Sequence, residues 1–550
     1  MKTKVAYFCM EFALEGDMPN YAGGLGVLAA DIFHGMADKN FPAVGVSLIY
    51  HQGYDKADRF DPGKYMKKLP QTVKIQIEHR EITVGVYQYD VIGSGGAIVP
   101  IYFLTTDLPE NKIWDKDLTK YLYASETYTR FGQEAILGVA GVRMLRELGY
   151  DQVDYFHMNE GHSAFLTLEL LRECDYHDEC VKSHCAFTTH TPVKAGHDHF
   201  SYDMSYQILG KEIPWHIKDV ATHDMLSMTD LAINLSHKTN SVSKRHQEVC
   251  TEMFPGKEFE NITNGIHHLT WVSDSMAKLF DKNLKGWKDN PEVFENAIKE
   301  IPDADLLKAK KIEKTKFIKW INSHPEFFSY SSDMHKEDFF DEDTLTFVFA
   351  RRFVSYKRPA LIFRLRERLR LLGYKKIQLI FAGKCHPSDG FCNGKIQEIR
   401  HEARRLRGQV RVAVIPNYNI DIAKKLVAGS DVWLNNPIKP REASGTSGMK
   451  ASLNGGLNCS ILDGWWIEAF ADKPLAGWGF GEKSDELDEA IRDDVDANEL
   501  CNILEEVIEC YYNKPKQWTK RMKTAISLIS YFNTYRCVEE YDKIMWPEKK

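Results

Sequence analysis

Residues 344–382 read TLTFVFARRFVSYKRPALIFRLRERLRLLGYKKIQLIFA: two apolar runs separated by a basic turn and an amphipathic stretch. Thr344 to Ala350 and Ile377 to Ala382 are short and rich in β-branched and aromatic residues, which predicts buried strands. Between them Pro359 opens a predicted helix reaching Leu372, with proline at the first position, where no amide hydrogen is needed. Strand, helix and strand in such close succession form a βαβ unit, whose connection makes the strands parallel. The alternation continues with a basic helix from Gly394 to Gly408, a strand from Val410 to Pro416 and a helix from Ile420 to Gly429. A strand from Asp431 to Asn435, a helix beginning at Met449 to Leu453 and a strand from Leu457 to Asp463 complete it. This pattern predicts a doubly wound α/β domain.

The chain's beginning repeats the pattern. Lys4 to Phe8 is strand-like, NYAGGLG (20–26) is a glycine loop, and Phe41 to Tyr50 is strand-like again. Between them Val27 to Asp38 places Leu28, Ile32 and Met36 on one helical face. Residues 270 to 340 look helical and charged, with no glycine loop. The reading is α/β, with two Rossmann-like doubly wound domains facing across a cleft. They span residues 1–264 and 265–550, with the last helices free to pack back on the first domain.

Composition excludes several classes. A chain of 550 residues exceeds one hydrophobic core, and 43% hydrophobic with 27% charged residues is ordinary for a soluble globular protein. A net charge of −7 argues against a nucleic-acid binder. No apolar run is long enough to span a membrane, and the N-terminus lacks the marks of a signal peptide. Eleven scattered cysteines point to reduced thiols and a cytoplasmic location. Cys174, His177, Cys180, His184 and Cys185 cluster, but their spacing fits no common zinc module, so a surface helix–loop is expected and no metal. The lysine-rich stretch from Lys514 to Lys523 reads as solvated surface.

Open parallel sheets collect ligands at the carboxyl ends of their strands. Arg351, Arg352, Lys357 and Arg358 follow the strand 344–350, and such a run suits phosphate, although it also suits a solvated basic turn. The strand 431–435 is followed by PIKPREASGTSGMK (437–450). Small residues there would let a ligand approach the backbone. Thr446 could donate to a phosphate, Glu442 could accept from sugar hydroxyls, and Lys450 could form a Schiff base; an ordinary helix cap is the alternative. The glycine loop offers backbone donors, or only a tight turn. Asn159 to His162 and Asn261 to Gly265 could reach sugar hydroxyls, while His162 alone also fits a hydrogen-bonded core histidine. The loops THTP (189–192) and GHDH (196–199) read as structural rather than metal-binding. Neither a nucleophile elbow nor a kinase motif set is present.

The motifs MEFALEG, YAGGLGVLAAD, HMNEGHSAF, THTPVKAGHDHF, NITNGIHHLTW, ARRFVSYKRP, IFAGKCHP and REASGTSGMKASLNGGL occur in that order, from Glu11 to about Trp478. In them the chain resembles the α-glucan (glycogen, starch, maltodextrin) phosphorylases, most of all their shorter prokaryotic branch. The resemblance implies a GT-B arrangement and reversible, retaining phosphorolysis of α-1,4-glucan by inorganic phosphate to glucose 1-phosphate. It also implies pyridoxal 5'-phosphate as cofactor and a homodimer. By position, Lys450 matches the lysine that binds the cofactor, whose phosphate rather than electron sink serves catalysis. Gly24, Thr446 and Tyr418 match contacts to that phosphate, and Arg351 stands where longer enzymes have a lysine. Arg352 and Lys357 match the residues that hold inorganic phosphate, with Tyr356 between them. Glu442, Ser444, Gly445, Asn264 and His162, with Leu25 of the glycine loop, match the glucose side. Arg352, Lys357, His162 and Lys450 are therefore the expected catalytic set.

The chain also departs from the pattern. Arg351 keeps the charge of the lysine it replaces but not its geometry. His51 stands where the short branch often has arginine, which bears on substrate preference. The chain is too short for the long enzymes' phosphorylation and nucleotide-effector elements, so neither control is expected. Two rivals remain: a nucleotide-sugar-dependent α-glucan synthase, which shares the GGLG loop but needs no pyridoxal lysine, and a non-catalytic glucan-binding protein.

Overall fold

The computed structural model describes residues 1–53, 59–384 and 389–549. The chain forms two compact units: residues 1–263 with 534–550, and residues 264–533.

The first unit is built on β1 (Lys2–Cys9), β2 (Ala43–Leu48), β3 (Lys67–Ile77), β4 (Arg80–Ile92), β5 (Ile98–Thr105) and β6 (Gln152–Asn159). It continues with β7 (Cys185–Thr188), the short pair β8 (His199–Phe200) and β9 (Leu226–Ser227), β10 (Lys238–Ser241) and β11 (Glu260–Asn261). Nine of these form one sheet in the order β11-β10-β7-β6-β1-β2-β5-β4-β3. Alternate residues of β1 face opposite layers: Ala6 and Phe8 enter one core, and Val5, Tyr7 and Cys9 the other. Both faces are therefore covered, as a parallel sheet requires. The first helix begins at Gly24 rather than Val27 and buries the expected Leu28, Ile32 and Met36. Tyr541 and Trp546, from the returning C-terminal segment, fill the second core, where the Trp546 indole donates to His157 Nδ1 at 3.1 Å.

β4 runs antiparallel to both neighbours. Its hairpin with β3 turns on Glu78 (φ 47°) and His79 (φ 64°), both left-handed. Such turns ordinarily use Asn-Gly, so this one leaves no signature in the sequence. A disulfide joins Cys174 to Cys180, which corrects the expectation of reduced thiols at that pair and removes both sulfurs as metal ligands. Cys185 is free and buried.

The second unit carries β12 (Leu345–Ala350), β13 (Ile377–Ala382), β14 (Arg411–Ile415), β15 (Val432–Asn435), β16 (Leu457–Ile461) and β17 (Gly477–Phe480). Their order is β14-β13-β12-β15-β16-β17 and every pairing is parallel. The chain winds outward from β12 in one direction and then returns to wind outward in the other. The reversal between β12 and β15 is the switch point where such sheets bind ligands. The helix expected from Pro359 instead begins at Arg366 and ends at Gly373. Ahead of it Leu361–Phe363 forms a 3₁₀ turn and Leu365 (φ −108°, ψ 52°) is not helical, while Arg358 is left-handed (φ 48°) with its guanidinium tied to the carbonyls of Asn436 and Pro437 and to Asp493 and Asp496. The basic helix starts at Gly390 rather than Gly394. The stretch from Lys514 to Lys523 is not wholly solvated: Trp518 and Met522 are buried, and Lys523 pairs with Asp303.

The helix Asp303–Asn322 underpins the amino ends of β12 and β15 through a buried charge pair. Lys314 pairs with Asp431 and donates to the Thr344 carbonyl at 2.8 Å and the Tyr511 hydroxyl at 3.1 Å. Asp431 in turn accepts from the Thr346 amide at 2.9 Å. Removing one partner of a buried pair strands the other charge. Lys314→Met is expected to destabilise the protein by about 3–5 kcal/mol in urea denaturation, and Lys314→Met with Asp431→Leu by less.

Candidate active site

In the second unit, Arg351 leaves the end of β12 and bonds Asn435 at the end of β15. Its guanidinium and the Lys357 ammonium converge on one oxygen, Glu442 Oε2, at 2.9 and 2.6 Å. Asn436 holds the basic turn by donating to the carbonyls of Lys357 (3.3 Å) and Arg358 (2.7 Å). Glu442 is set by its own backbone, since its amide donates to Asp463 at 2.8 Å, and Asp463 also receives the Gly464 amide at 2.9 Å. Gly464 lies at φ 55°, with the Ser444 carbonyl 2.4 Å from where a Cβ would stand, so only glycine closes the loop.

Glu442 is buried, which alone would raise its pKa; the Arg351 and Lys357 charges outweigh burial and bring it down to about 2. It therefore remains a carboxylate. Arg352 is exposed, and its guanidinium has no partner among the described residues. Three cations against one carboxylate leave a surplus of positive charge at the switch point, which is what an anionic ligand needs. The Tyr356 ring lies under the Lys357 ammonium at 4.5 Å.

The same loop enters the short helix Ser447–Leu453. Thr446 and Lys450 lie one turn apart, the Lys450 amide donating to the Thr446 carbonyl at 3.3 Å. Thr446 holds the N-cap position, yet its side chain makes no capping bond. Lys450 is 5% exposed, with its ammonium 4.0 Å from the centre of the Trp271 ring. Gly448 has no room for a Cβ, because Asn458 Oδ1 would stand 2.2 Å away. Ser444 is buried, Gly445 adopts φ 78°, Tyr418 is half-buried after β14, and Asn264, at the unit's start, is 5% exposed.

In the first unit, His162 and the glycine loop lie beyond the carboxyl ends of β6 and β1, which are neighbours. Gly24 is exposed in the helix's first turn and Leu25 is half-buried. His162 Nε2 lies 3.5 Å from Asp198, and burial, with Arg130 nearby, pushes its pKa down to about 3, so the ring is neutral. Its Nδ1 is buried without a hydrogen-bond partner among the described residues. Glu134, His162 and Asp198 bring possible metal ligands within 4.8 Å of one another. Arg130 already lies 2.9 Å from both carboxylates and supplies the positive charge a metal would bring. His190, in the THTP loop, bonds Asn159 at 2.6 Å on the same edge as His162, a structural hydrogen bond as the sequence suggested for that loop.

Two doubly wound α/β units with these strand orders are the fold class of the GT-B glycosyltransferases. A family model described as carbohydrate phosphorylase matches residues 198–507. One described as the starch synthase catalytic domain matches residues 5–265, so the N-terminal fold alone does not separate the two activities. The maltodextrin phosphorylase of Thermococcus litoralis is 35% identical over 98% of this chain and 70% of its own length. The glycogen phosphorylase of Aquifex aeolicus is 34% identical, covering 98% and 85%. An uncharacterized protein of Methanocaldococcus jannaschii is 32% identical over 98% of both chains. The chain belongs to the carbohydrate phosphorylase family and is a phosphorylase.

The clamp on Glu442 makes a signed prediction. A carboxyl whose pKa is lowered by folding stabilises the protein above its unfolded value, about 4.3, and loses that contribution as pH falls toward the folded one. Glu442→Gln leaves Arg351 and Lys357 opposed without an anion, so a loss of about 3 kcal/mol near neutral pH is expected. In urea denaturation across pH, the gap between the two proteins should shrink as pH falls below about 4.

Proposed function

We propose that this phosphorylase releases the terminal glucose of an α-1,4-glucan as glucose 1-phosphate, with inorganic phosphate as acceptor, retention at the anomeric carbon and pyridoxal phosphate as cofactor. The observation that carries the reading is the switch point of the second unit, where Arg351 and Lys357 clamp Glu442 beside an exposed Arg352. The names of the Thermococcus and Aquifex relatives, a maltodextrin and a glycogen phosphorylase, support the substrate class.

The residues present fit the cofactor. Lys450 is a buried amine, and Thr446 one turn before it keeps its hydroxyl out of capping. Lys450 would hold the cofactor covalently, with Thr446 and Tyr418 toward its phosphate; in the first unit, Gly24 offers an amide to a phosphate. When bound, pyridoxal phosphate supplies a phosphate group able to exchange a proton.

The chain's own residues do the rest. Arg352 and Lys357 hold inorganic phosphate by charge-assisted hydrogen bonds, Arg351 adding charge that offsets phosphate–phosphate repulsion. Glu442, ionised and fixed, accepts from glucose hydroxyls; saturated by two cations, it is a poor nucleophile. Bound phosphate is then the anion beside the oxocarbenium-like transition state and the group that attacks it. In the second unit Ser444, Gly445 and Asn264 are assigned to sugar contacts; in the first unit the same role is assigned to Leu25 and to His162, a neutral ring.

Purified full-length protein with pyridoxal phosphate, maltoheptaose and inorganic phosphate is expected to form glucose 1-phosphate, and none when phosphate is omitted. Bound cofactor without product would overturn the substrate assignment; product without cofactor would overturn the cofactor assignment. Lys450→Ala is expected to abolish both cofactor absorbance and turnover while leaving the far-ultraviolet spectrum unchanged.

A further inference from the structure

The glycine loop does not hold itself in place. Glu11, two residues past the end of β1, is 2% exposed, and its side chain reaches across to the loop. Its Oε2 accepts the amides of Ala22 (2.8 Å) and Gly23 (3.3 Å), and its Oε1 accepts the Tyr123 hydroxyl. The backbone repeats the attachment: the Phe12 amide donates to the Asn20 carbonyl and the Ala13 amide to the Gly26 carbonyl, each at 3.0 Å. Gly26 is glycine because the Cβ atoms of Glu11 and Tyr21 would each lie 2.8 Å from a Cβ placed there. A Cβ at Gly24 would meet no described residue within 4 Å, so the close packing is on the Glu11 side and the open side is at Gly24.

The other end of the network is equally specific. Tyr123 adopts φ 55°, a left-handed conformation uncommon for an aromatic residue, and in it the hydroxyl meets Glu11. The Arg130 guanidinium covers the Tyr123 ring at 4.6 Å and binds Asp198, the carboxylate beside His162. The His162 ring itself lies 5.6 Å from Tyr123.

We propose that Glu11 is a positioning residue. Its carboxylate takes up the loop amides of Ala22 and Gly23, so that the amide of Gly24 and the helix turn behind it are presented to a phosphate group, and Tyr123 ties that arrangement to His162. A helix's first amides have no carbonyl of their own to bond, and the N-cap here, Gly23, has no side chain to cover them. A carboxylate behind a phosphate-binding loop would repel the ligand if it were free. Here three donors satisfy it, and it faces away from the open side. The inference rests on the reading that Gly24 serves the cofactor phosphate.

The test compares pyridoxal phosphate with pyridoxal, which has the same aldehyde and no phosphate, by fluorescence titration of full-length protein freed of cofactor. Glu11→Ala is expected to weaken pyridoxal phosphate binding about tenfold or more, as loss of charge-assisted hydrogen bonds would. Pyridoxal binding should be nearly unchanged. Glu11→Gln keeps a carbonyl oxygen for the two amides and is expected to restore most of the affinity. Tyr123→Phe, which removes one bond and no loop contact, should lose about threefold and serves if Glu11→Ala does not fold. Equal weakening of both compounds, or none, would overturn the positioning role. Wild-type protein that holds pyridoxal as tightly as pyridoxal phosphate would instead overturn the assignment of the loop to phosphate, and the inference with it.

Discussion

Parallel strands cannot be joined by tight turns, and this constraint organises the molecule. Each connection between parallel strands must cross a face of the sheet, so all of those strands, every one but β4 in the two large sheets, deliver their carboxyl ends to the same edge. Where the winding reverses, two neighbouring ends are left with their loops diverging. In the second unit those ends are Ala350 and Asn435, and the loops that follow carry Arg351, Lys357 and Glu442. In the first they are Cys9 and Asn159, followed by Glu11 and His162. The chemistry collects where the backbone leaves room for it.

Charge is handled in opposite ways at the two edges of the second sheet. At the amino edge, Lys314 and Asp431 are buried and satisfied by backbone and tyrosine partners, so their charges are fully consumed in holding β12, β15 and the helix Asp303–Asn322 together. At the carboxyl edge the balance is left open. Glu442 neutralises only part of the charge of Arg351 and Lys357, and Arg352 beside them is exposed. A buried carboxylate held near pKa 2 by two cations is costly unless it serves a ligand, because a smaller apolar residue would pack there without desolvating three charges.

Much of this was legible in the sequence. The strands from β12 to β16, the helix Ile420–Gly429 and the apolar face of the first helix follow from periodicity and turn residues, because burial on both faces leaves a continuous apolar run. The cations after β12 and the GTSGMK loop were visible as unusual residue types at strand ends. The β3–β4 hairpin was not visible, because its left-handed turn is made by Glu78 and His79 rather than by Asn and Gly. Nor was the late start of the helix at Arg366, since the 3₁₀ turn at Leu361–Phe363 and the non-helical Leu365 before it fall in a stretch with no glycine or proline to announce them.

The sequence by itself determined the α/β class, the order of most elements and the residue types able to bind phosphate and sugar, because those depend on local periodicity and side-chain chemistry. Tertiary structure alone decided that Arg351 and Lys357 share one oxygen of Glu442 and that Glu11 and Tyr123 brace the glycine loop. It alone decided that His162 is neutral. Each of these depends on burial and on distances between residues remote in the chain, and neither quantity is written in the residues taken one stretch at a time.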